Sequence, residues 1–323
     1  MNTKIIGTGS YLPPTSMSND DISKLVETND DWIRERTGIG SRHIATDDTT
    51  VSMAAKAAQK ALEASALTAE ELDLVIVGTI SADNLLPSTA CSVQSILGAK
   101  NAVAFDVNAA CSGFLFAMNT ANAYIKCGMY HNALIIGVET LSKITDWTDR
   151  STCVLFADGA GAAVLTATEN ESEGILSFVQ GSDGTRGPAL YCKSRSNNNP
   201  YVTTTLEPAY ITMDGPAVFK FAIKTVPASI RQLLDQTGYT TDDPDVYVLH
   251  QANLRIIQSI SKRLSIPMEK FPLNMEGCGN TSAASVPILL DETVRSGRIN
   301  PGDLVILAGF GAGLTWGGAL IRF

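Results

Sequence analysis

Residues 106–128 have the sequence DVNAACSGFLFAMNTANAYIKCG, in which the end of a strand-like run is followed by Cys111 and then by a long apolar segment. The segment after Cys111 is apolar on nearly every face, and this predicts a central helix that is buried on all sides. The amino end of such a helix directs partial positive charge toward Cys111, an environment that favours the thiolate form of a cysteine. The stretch therefore predicts a buried helix at the centre of the fold with a candidate nucleophile at its entrance.

A second stretch, in the C-terminal part of the chain, repeats this arrangement. Cys111 lies 17 residues before Gly128 (128 − 111), and Asn280 lies 17 residues before Gly297 (297 − 280). We therefore predict two similar halves, residues 1–170 and 171–323, with a polar loop insertion at about 181–210. Two such halves packed about a pseudo-twofold axis place both helix entrances at one shared cleft.

Helix-like and strand-like segments alternate along the whole chain. Helical periodicity covers 51–66 and 219–236, and strand-like apolar runs cover 72–77, 133–138 and 304–308. This alternation predicts an α/β fold with largely buried sheets.

Composition excludes several classes of protein. The chain has 323 residues, of which 45% are hydrophobic and 18% charged, and this is ordinary globular material. A formal net charge of −9 argues against nucleic-acid binding, because such proteins need a basic surface to neutralise phosphates. No segment approaches the ~20 apolar residues of a membrane span, so we expect a cytoplasmic protein that does not enter a membrane. The six cysteines and three histidines show no metal-like grouping, so we predict reduced thiols and no metal.

Three side chains form the candidate catalytic set. Cys111 stands before the central helix, His250 ends the strand-like run 246–249, and Asn280 follows a Gly-Cys-Gly turn. A thiol, an imidazole and a carboxamide that meet in space can form, stabilise and resolve a thioester. Taken one at a time, each has a structural alternative: a small buried cysteine, a core histidine and a left-handed turn residue.

Several motifs together carry a resemblance to a known family. They include DWIRERTGI at 31–39, DVNAACSG at 106–113, HQAN at 250–253, GNTS at 279–282 and the glycine turn 309–313. The sequence resembles β-ketoacyl-[acyl carrier protein] synthase III over essentially the whole chain. This resemblance implies a thiolase-like, five-layered α-β-α-β-α fold built from two duplicated halves. It also implies decarboxylative Claisen condensation of an acyl-CoA primer with malonyl-acyl carrier protein, which gives 3-oxoacyl-acyl carrier protein, CoA and CO2 and initiates type II fatty acid synthesis.

The resemblance further implies a role for each matching residue. Cys111 would accept the acyl group, His250 and Asn280 would act on the malonyl thioester, and the backbone N–H groups of Cys111 and Ala312 would form the oxyanion hole. The positions that match CoA-binding residues are Trp32, Arg36, Thr37, Arg150, Phe219, Ala252 and Asn253. Those that match the acyl pocket are Leu86, Leu141, Phe156 and Phe310, with Leu86 donated by the partner subunit of a homodimer. The positions that match the docking patch for the acidic acyl carrier protein are Lys220, Arg255, Lys262 and Arg263. No cofactor is implied, since acyl-CoA is a substrate.

Departures from the family pattern and rival functions stay open at this point. Leu86 stands where some members carry phenylalanine, so the primer could be acetyl, branched or longer. Arg36 could instead form a surface salt bridge, and the basic residues could be a solvated helix face. Cys, His and Asn in this chain order also occur in papain-like hydrolases, although the signature around their cysteine is absent here. A related condensing enzyme or acyltransferase of secondary metabolism is the closer rival, and a non-catalytic binding role is the weakest.

Overall fold

A computed structural model describes residues 1–202 and 209–323. Its strands are β1 (Asn2–Tyr11), β2 (Ser16–Ser18), β3 (Ser41–His43), β4 (Leu74–Gly78), β5 (Val103–Val107), β6 (Asn132–Thr140), β7 (Asp158–Thr168), β8 (Gly174–Ser182), β9 (Leu190–Cys192), β10 (Ile211–Met213), β11 (Val246–Leu249), β12 (Leu304–Gly311) and β13 (Thr315–Arg322). Its α-helices are α1 (Asn19–Ile22), α2 (Asp30–Thr37), α3 (Thr50–Ser65), α4 (Thr89–Leu97), α5 (Gly113–Lys126), α6 (Arg150–Cys153), α7 (Gly215–Thr237), α8 (Leu254–Leu264), α9 (Met275–Cys278) and α10 (Ser285–Arg295).

Two larger sheets repeat one strand arrangement. The first has the order β1-β7-β6-β4-β5 and the second the order β8-β13-β12-β11. In the first, β7 is antiparallel to β1 and β6, and β6 is parallel to β4. In the second, β13 is antiparallel to β8 and β12, and β12 is parallel to β11. The repeated order and direction confirm that the fold consists of two duplicated halves.

Helices separate and cover the two sheets. The outer helix α3 packs on β1, β6 and β7, and the outer helix α7 packs on β8, β12 and β13. Between the sheets, α5 and α10 each contact strands of both. Side chains of α5 such as Phe114, Leu115 and Met118 are fully buried, because apolar sheet surface faces this helix from two sides. The structure therefore confirms the five-layered α/β fold and the central position of the helix after Cys111.

The predicted loop at 181–210 is partly regular. A 3₁₀ turn covers Gly184–Ala189, and β9 follows it and pairs with β10 in a two-stranded sheet. Residues 203–208 of the predicted loop lie outside the described residues. The predicted boundary at residue 170 falls between β7 and β8, and the division into halves at that residue stays a prediction.

Within residues 1–202 and 209–323, no helix is both long enough and apolar enough to cross a membrane.

Candidate active site

Cys111 lies in a 3₁₀ turn, Ala110–Ser112, that leads directly into α5. Its side chain is buried, with 8% of the residue exposed. Burial raises the pKa of the Cys111 thiol to about 12, while a hydrogen bond with Ser282 lowers it and the charge of Glu139 raises it. The sequence predicted a setting that favours the thiolate. Burial instead dominates and raises the pKa, because the thiolate gives up its water shell when it is buried.

Asn280 is held by its backbone against the segment that precedes β7. Its N–H donates to the carbonyl of Leu155 at 2.9 Å, and its own carbonyl accepts from the N–H of Ala157 at 2.9 Å. The side-chain Oδ1 accepts from the N–H of Ser282 at 3.0 Å. Because this bond engages the oxygen, the Nδ2 amide group is the end left to donate toward a ligand.

The two halves carry similar turns at the entrances of α5 and α10. The turn before α5 contains Ala110 with φ 46°, and the turn before α10 begins at Ser282 with φ 49°. Counted from the helix starts, the counterpart of Cys111 is therefore Ala283, three residues after Asn280. The equal spacings of 17 residues arise because α5 has 14 residues and α10 has 11. Sequence spacing thus found the right entrance and missed the equivalent position by three residues.

His250 follows the last residue of β11, and its N–H donates to the carbonyl of Ala308 at 2.9 Å. Its ring packs edge-on against Phe310, with 5.4 Å between centroids. Nδ1 is buried and has no hydrogen-bond partner among the described residues. Burial lowers the pKa of His250 to about 3, so the imidazole is neutral across the physiological range and one ring nitrogen carries a proton to donate.

The end of β12 joins His250 and Cys111. A Cβ built on Gly309 would lie 3.5 Å from Cβ of His250 and 3.7 Å from the carbonyl oxygen of Cys111. A Cβ on Gly311 would lie only 2.6 Å from the backbone nitrogen of Cys111. Glycine is needed at 311 because any side chain there collides with backbone. The structure therefore brings the predicted cysteine and histidine to one place, beside the glycine-rich end of β12.

The turn after β12 is tied to the residues that precede Cys111. The hydroxyl group of Thr315 is within hydrogen-bond distance of two carbonyl oxygens, that of Ala109 at 3.1 Å and that of Ala312 at 3.0 Å. Ala312 and Cys111 also line one cavity. These contacts fix the turn that carries the Ala312 N–H beside the turn that carries the Cys111 N–H. Their assignment as an oxyanion hole stays a prediction.

A mostly apolar cavity opens at Cys111. Its lining residues are Ile80, Ala110, Cys111, Leu141, Phe156, Leu190, Tyr191, Cys192, Ile211, Ser282 and Ala312. Of the residues predicted for an acyl pocket, Leu141 and Phe156 line this cavity, whereas Phe310 packs beside His250 and is not among the lining residues. Leu86 is 84% exposed and does not reach the cavity of its own chain. Sequence reasoning missed the contribution of β9 and β10, because it assigned the first of them to a loop.

A buried carboxyl group, Glu139, also belongs to the site, and sequence reasoning missed it. It is 0% exposed and accepts from Ser81 Oγ at 2.5 Å, from the Ile80 N–H at 3.1 Å and from Ser282 Oγ at 3.1 Å. Burial raises the pKa of Glu139 to about 7, against these hydrogen bonds, which lower it. The available signal was a single acidic residue at the end of a strand, β6, that is otherwise mostly apolar.

Trp32 is in contact with two of the arginines predicted to bind CoA. The guanidinium carbon of Arg36 is 4.9 Å from the indole centroid, and that of Arg150 is 5.0 Å away. Arg150 also donates to the carbonyl of Glu27 at 2.9 Å. In the part of the chain that the structure describes, no ion pair of Arg36 occurs, and the neighbouring Glu35 pairs with another arginine. The three side chains form a flat aromatic and cationic surface.

The other predicted CoA residues have structural partners of their own. Thr37 is buried and its hydroxyl donates to the carbonyl of Ile33 at 2.6 Å. Asn253 caps α8, and its Nδ2 donates to the carbonyl of Arg36 at 3.1 Å. Ala252 and Phe219 are partly buried at the edge of the core. These contacts hold α2 against the start of α8, so both helices present their residues to one side of the protein.

The predicted docking residues lie on two neighbouring helices. Lys220 is exposed on α7, and α8 carries the exposed residues Arg255, Lys262 and Arg263. Arg255 pairs with Glu35 at 3.2 Å. Helix α8 itself contains no acidic residue. The face is therefore basic in a chain whose net charge is −9.

Within residues 1–202 and 209–323, no three His, Cys, Asp or Glu side chains lie close enough together to hold a metal ion.

Comparisons with known proteins agree with this geometry. A family model described as 3-oxoacyl-[acyl-carrier-protein (ACP)] synthase III matches residues 105–184, and its C-terminal counterpart matches residues 234–323. The β-ketoacyl-[acyl-carrier-protein] synthase III of Clostridium novyi (strain NT) is 49% identical over 323 residues, which is 100% of this chain and 99% of that protein.

Solved structures show the same likeness. The crystal structure of 3-oxoacyl-[acyl-carrier-protein] synthase III from Aquifex aeolicus VF5 superposes with a TM-score of 0.94 and 43% identity, covering 99% of this chain and 100% of that one. The priming β-ketosynthase of the R1128 polyketide pathway has a TM-score of 0.92 and 37% identity, covering 99% and 96%. This chain belongs to the 3-oxoacyl-[acyl-carrier-protein] synthase III family, whose members are condensing acyltransferases of thiolase-like fold.

Proposed function

We propose that this protein condenses an acyl-CoA primer with malonyl-acyl carrier protein, releasing CoA and CO2 and giving the 3-oxoacyl-acyl carrier protein that starts fatty acid synthesis. The observation that carries the proposal is that Cys111 and His250 both lie close to Gly309, while the turn that follows Asn280 packs against the turn that contains Cys111. Each group has a distinct duty in such a reaction.

In the first stage, Cys111 attacks the thioester carbonyl of acyl-CoA. The tetrahedral oxyanion then forms beside the N–H groups of Cys111 and Ala312, which the contacts of Gly311 and Thr315 hold in neighbouring turns. Donors fixed before the reaction stabilise developing charge without reorganisation, and each contributes about 3 kcal/mol in comparable sites. The products of this stage are the acyl-enzyme and free CoA.

In the second stage, the malonyl thioester loses CO2 and becomes an enolate, whose oxygen needs donors. His250 is neutral and buried, so it offers one N–H, and Asn280 offers Nδ2 because its Oδ1 is already engaged. Both donors lie on the second half of the molecule, opposite the acyl group on Cys111. The enolate carbon attacks that thioester, which releases the 3-oxoacyl product and returns the cysteine to its thiolate form.

Substrate binding is proposed on the two surfaces described above. Trp32, with the guanidinium groups of Arg36 and Arg150 close to its ring, suits the adenine and phosphates of CoA, since guanidinium groups pair with phosphate and stack on aromatic rings. The basic face of α7 and α8 suits an acidic carrier protein. No cofactor is required by this scheme.

A homodimer is also proposed. Strand β5 is at the edge of the first sheet, and Val103 on it is exposed, as are Leu85 and Leu86 on the loop between β4 and α4. Exposed apolar residues beside an uncovered sheet edge are typical of an interface with a second copy. In the dimer, Leu86 would reach the cavity of the partner.

We place the protein in the cytoplasm.

The test is intact-mass analysis of the enzyme with a panel of acyl-CoA primers, followed by malonyl-acyl carrier protein. We expect a primer-dependent adduct that discharges with release of CO2, and no adduct on the Cys111→Ser variant. An adduct that discharges only to water would move the protein to the hydrolases. The 37% identity to a priming β-ketosynthase of a polyketide pathway keeps a role in secondary metabolism as the second candidate, and discharge of the adduct to an acceptor other than malonyl-acyl carrier protein would support it.

A further inference from the structure

Arg42, on the short strand β3, is a buried cation without a carboxylate partner. It is 0% exposed, and burial lowers the pKa of its guanidinium group to about 10, so the group is still charged at neutral pH. None of the described carboxylates forms an ion pair with it, and the nearby Asp30 pairs with Arg34 instead. A buried charge is costly unless hydrogen bonds replace its lost hydration. The acceptors around Arg42 therefore indicate which parts of the fold it holds together.

The guanidinium group of Arg42 joins the hairpin of β2 and β3 to a distant part of the chain. Nη1 donates to the carbonyl of Met17 at 3.2 Å, and Nη2 donates to Oδ1 of Asn19 at 2.8 Å. Nη2 also donates to the carbonyl of Val154 at 2.9 Å. Val154 begins the segment 154–157, which connects α6 to β7. The arginine thus fastens this segment to the N-terminal hairpin.

The same segment holds the backbone of Asn280 through both its N–H and its carbonyl. The Asn280 N–H donates to the carbonyl of Leu155 at 2.9 Å, and the Asn280 carbonyl accepts from the N–H of Ala157 at 2.9 Å. The carbonyl of Leu155 directly follows the carbonyl that Arg42 binds. Adjacent carbonyl groups of one segment therefore bind the buried cation and the candidate catalytic residue.

Arg42 also contacts the residue before Asn280. A Cβ built on Gly279 would lie 3.1 Å from Cβ of Arg42 and 3.3 Å from the carbonyl oxygen of Leu155. Gly279 has φ 65° and ψ −165°, a conformation that residues with a side chain rarely adopt. The chain thus reaches Asn280 through a glycine that packs against the stem of the arginine.

We propose that Arg42 is a positioning residue that holds Asn280 in place for the decarboxylation of the malonyl thioester. Its guanidinium group fixes the segment to which the Asn280 backbone is bonded, and its stem supports Gly279. A side chain without donors at position 42 takes a hydrogen bond away from the Val154 carbonyl, and the segment and the Asn280 turn can then shift together. This inference rests on the proposed role of Asn280 in stabilising the enolate.

Loss of this support should separate the two half-reactions. The N–H groups of Cys111 and Ala312 belong to other turns, so attack on acyl-CoA does not use Arg42. Misplacing a catalytic group by about 1 Å costs on the order of 100-fold in rate. A smaller shift of Asn280 should therefore lower the decarboxylation rate by about tenfold and leave acylation nearly unchanged.

The test compares the half-reactions in Arg42→Met, which replaces the charged side chain by an unbranched apolar one. Acylation is followed by intact mass with the smallest primer that the wild-type enzyme accepts, because Phe156, on the segment 154–157, lines the cavity at Cys111. Decarboxylation is followed by release of labelled CO2 from malonyl-acyl carrier protein. We expect acylation within about threefold of wild type, a kcat for decarboxylation about tenfold lower, and KM for the carrier-protein substrate within about twofold.

A double-variant cycle shows whether Arg42 acts through Asn280. In the Asn280→Ala background, Arg42→Met should lower the remaining decarboxylation rate by less than about twofold, because no carboxamide is left to misplace. Leu62→Ala is the matched control, since Leu62 is a buried side chain on α3 in another core cluster. It should lower the melting temperature without separating the half-reactions.

Equal losses in both half-reactions of Arg42→Met would overturn the proposal, and so would a further tenfold loss in the Asn280→Ala background. If Arg42→Met does not fold, Arg42→Lys replaces it with the same expectations, because an ammonium group cannot reach all the acceptors of the guanidinium fork.

A wild-type enzyme that releases no CO2 would refute the proposed function instead. Hydrogen exchange of residues 155–157 and 279–282 needs no substrate and then decides the structural question. Faster exchange in Arg42→Met than in Leu62→Ala would support the positioning role, and equal exchange would overturn it.

Discussion

Gly311 lies against the backbone of Cys111, and replacement of this glycine by alanine tests the oxyanion hole. The new Cβ would lie 2.6 Å from the Cys111 nitrogen and 3.2 Å from its Cα and Cβ. Ordinary contact begins at 3.4 Å, so the two turns must separate by about 0.8 Å (3.4 − 2.6). The Cys111 nitrogen belongs to the backbone and the new Cβ is fixed by the backbone of residue 311, so no side-chain rotation can relieve this contact.

The expected loss follows from this displacement. Misplacing a catalytic group by about 1 Å costs on the order of 100-fold in rate, and removing one oxyanion donor costs a similar factor. We therefore expect Gly311→Ala to lower kcat/KM for acylation by about 100-fold, equivalent to about 2.7 kcal/mol of transition-state stabilisation. Overpacking of this kind costs about 1–3 kcal/mol of folding free energy, so the variant should still fold.

The assay is single-turnover acylation followed by intact mass, with the melting temperature measured in parallel. Gly277→Ala is the matched control, since nothing lies within 4 Å of a Cβ at that position, although it is only three residues before Asn280. Acylation of Gly311→Ala within about threefold of the wild-type rate would refute the reasoning. An equal loss in Gly277→Ala would show that any change near the site is harmful and that the oxyanion turn has no special role.

Asn280→Ala should keep acylation within about threefold of wild type and lower decarboxylative condensation by about 100-fold, because its Nδ2 serves only the enolate; equal losses in both half-reactions would contradict this division. The double variant Lys262→Glu with Arg263→Glu should raise KM for the carrier-protein substrate far more than KM for acyl-CoA. The control variant Lys126→Glu, on another helix, should change neither KM value. Unaltered kinetics of the double variant would remove the docking proposal. His250 has a folded-state pKa of about 3, below its ordinary value of 6.5, so the unfolded chain binds the additional proton between these values. Its contribution to stability is complete above pH 6.5 and is lost as pH falls toward 3, so His250→Gln should reduce the loss of stability on acidification, as measured by urea unfolding at pH 7 and pH 5.

Local pattern was sufficient to predict the central elements of the site. Cys111 was predictable because an all-round apolar helix follows it, and such a helix has to lie between two sheets. His250 was predictable because it follows a short apolar strand, and the carboxyl ends of strands gather at the sites of α/β proteins. Both depend on sequence neighbours alone.

The remainder depends on contacts between distant residues. Glu139 gives no local sign that its carboxyl group is buried among hydroxyls, since Ser81 and Ser282 are 58 and 143 residues away in the sequence. The contribution of β9 to the cavity wall was missed because this strand is stabilised by pairing with β10. The two strands are separated by a polar segment of the sequence, so no local pattern indicates the pairing. The exact counterpart of Cys111 was missed because helix lengths differ between the halves, which spacing alone cannot reveal.

The division of the site between two duplicated halves also bears on how the chain matures. Cys111 comes from the first half, while His250, Asn280 and the Gly311 turn come from the second, and Ala312 follows the cysteine by 201 residues (312 − 111). During synthesis the first sheet and its cysteine are complete long before β12 is made, and domains fold as their segments emerge. No earlier intermediate combines the thiol with His250, Asn280 and the Ala312 N–H. If these residues act as proposed, acyl transfer becomes possible only when synthesis of the second half is complete, and we expect a partly made chain not to capture acyl-CoA.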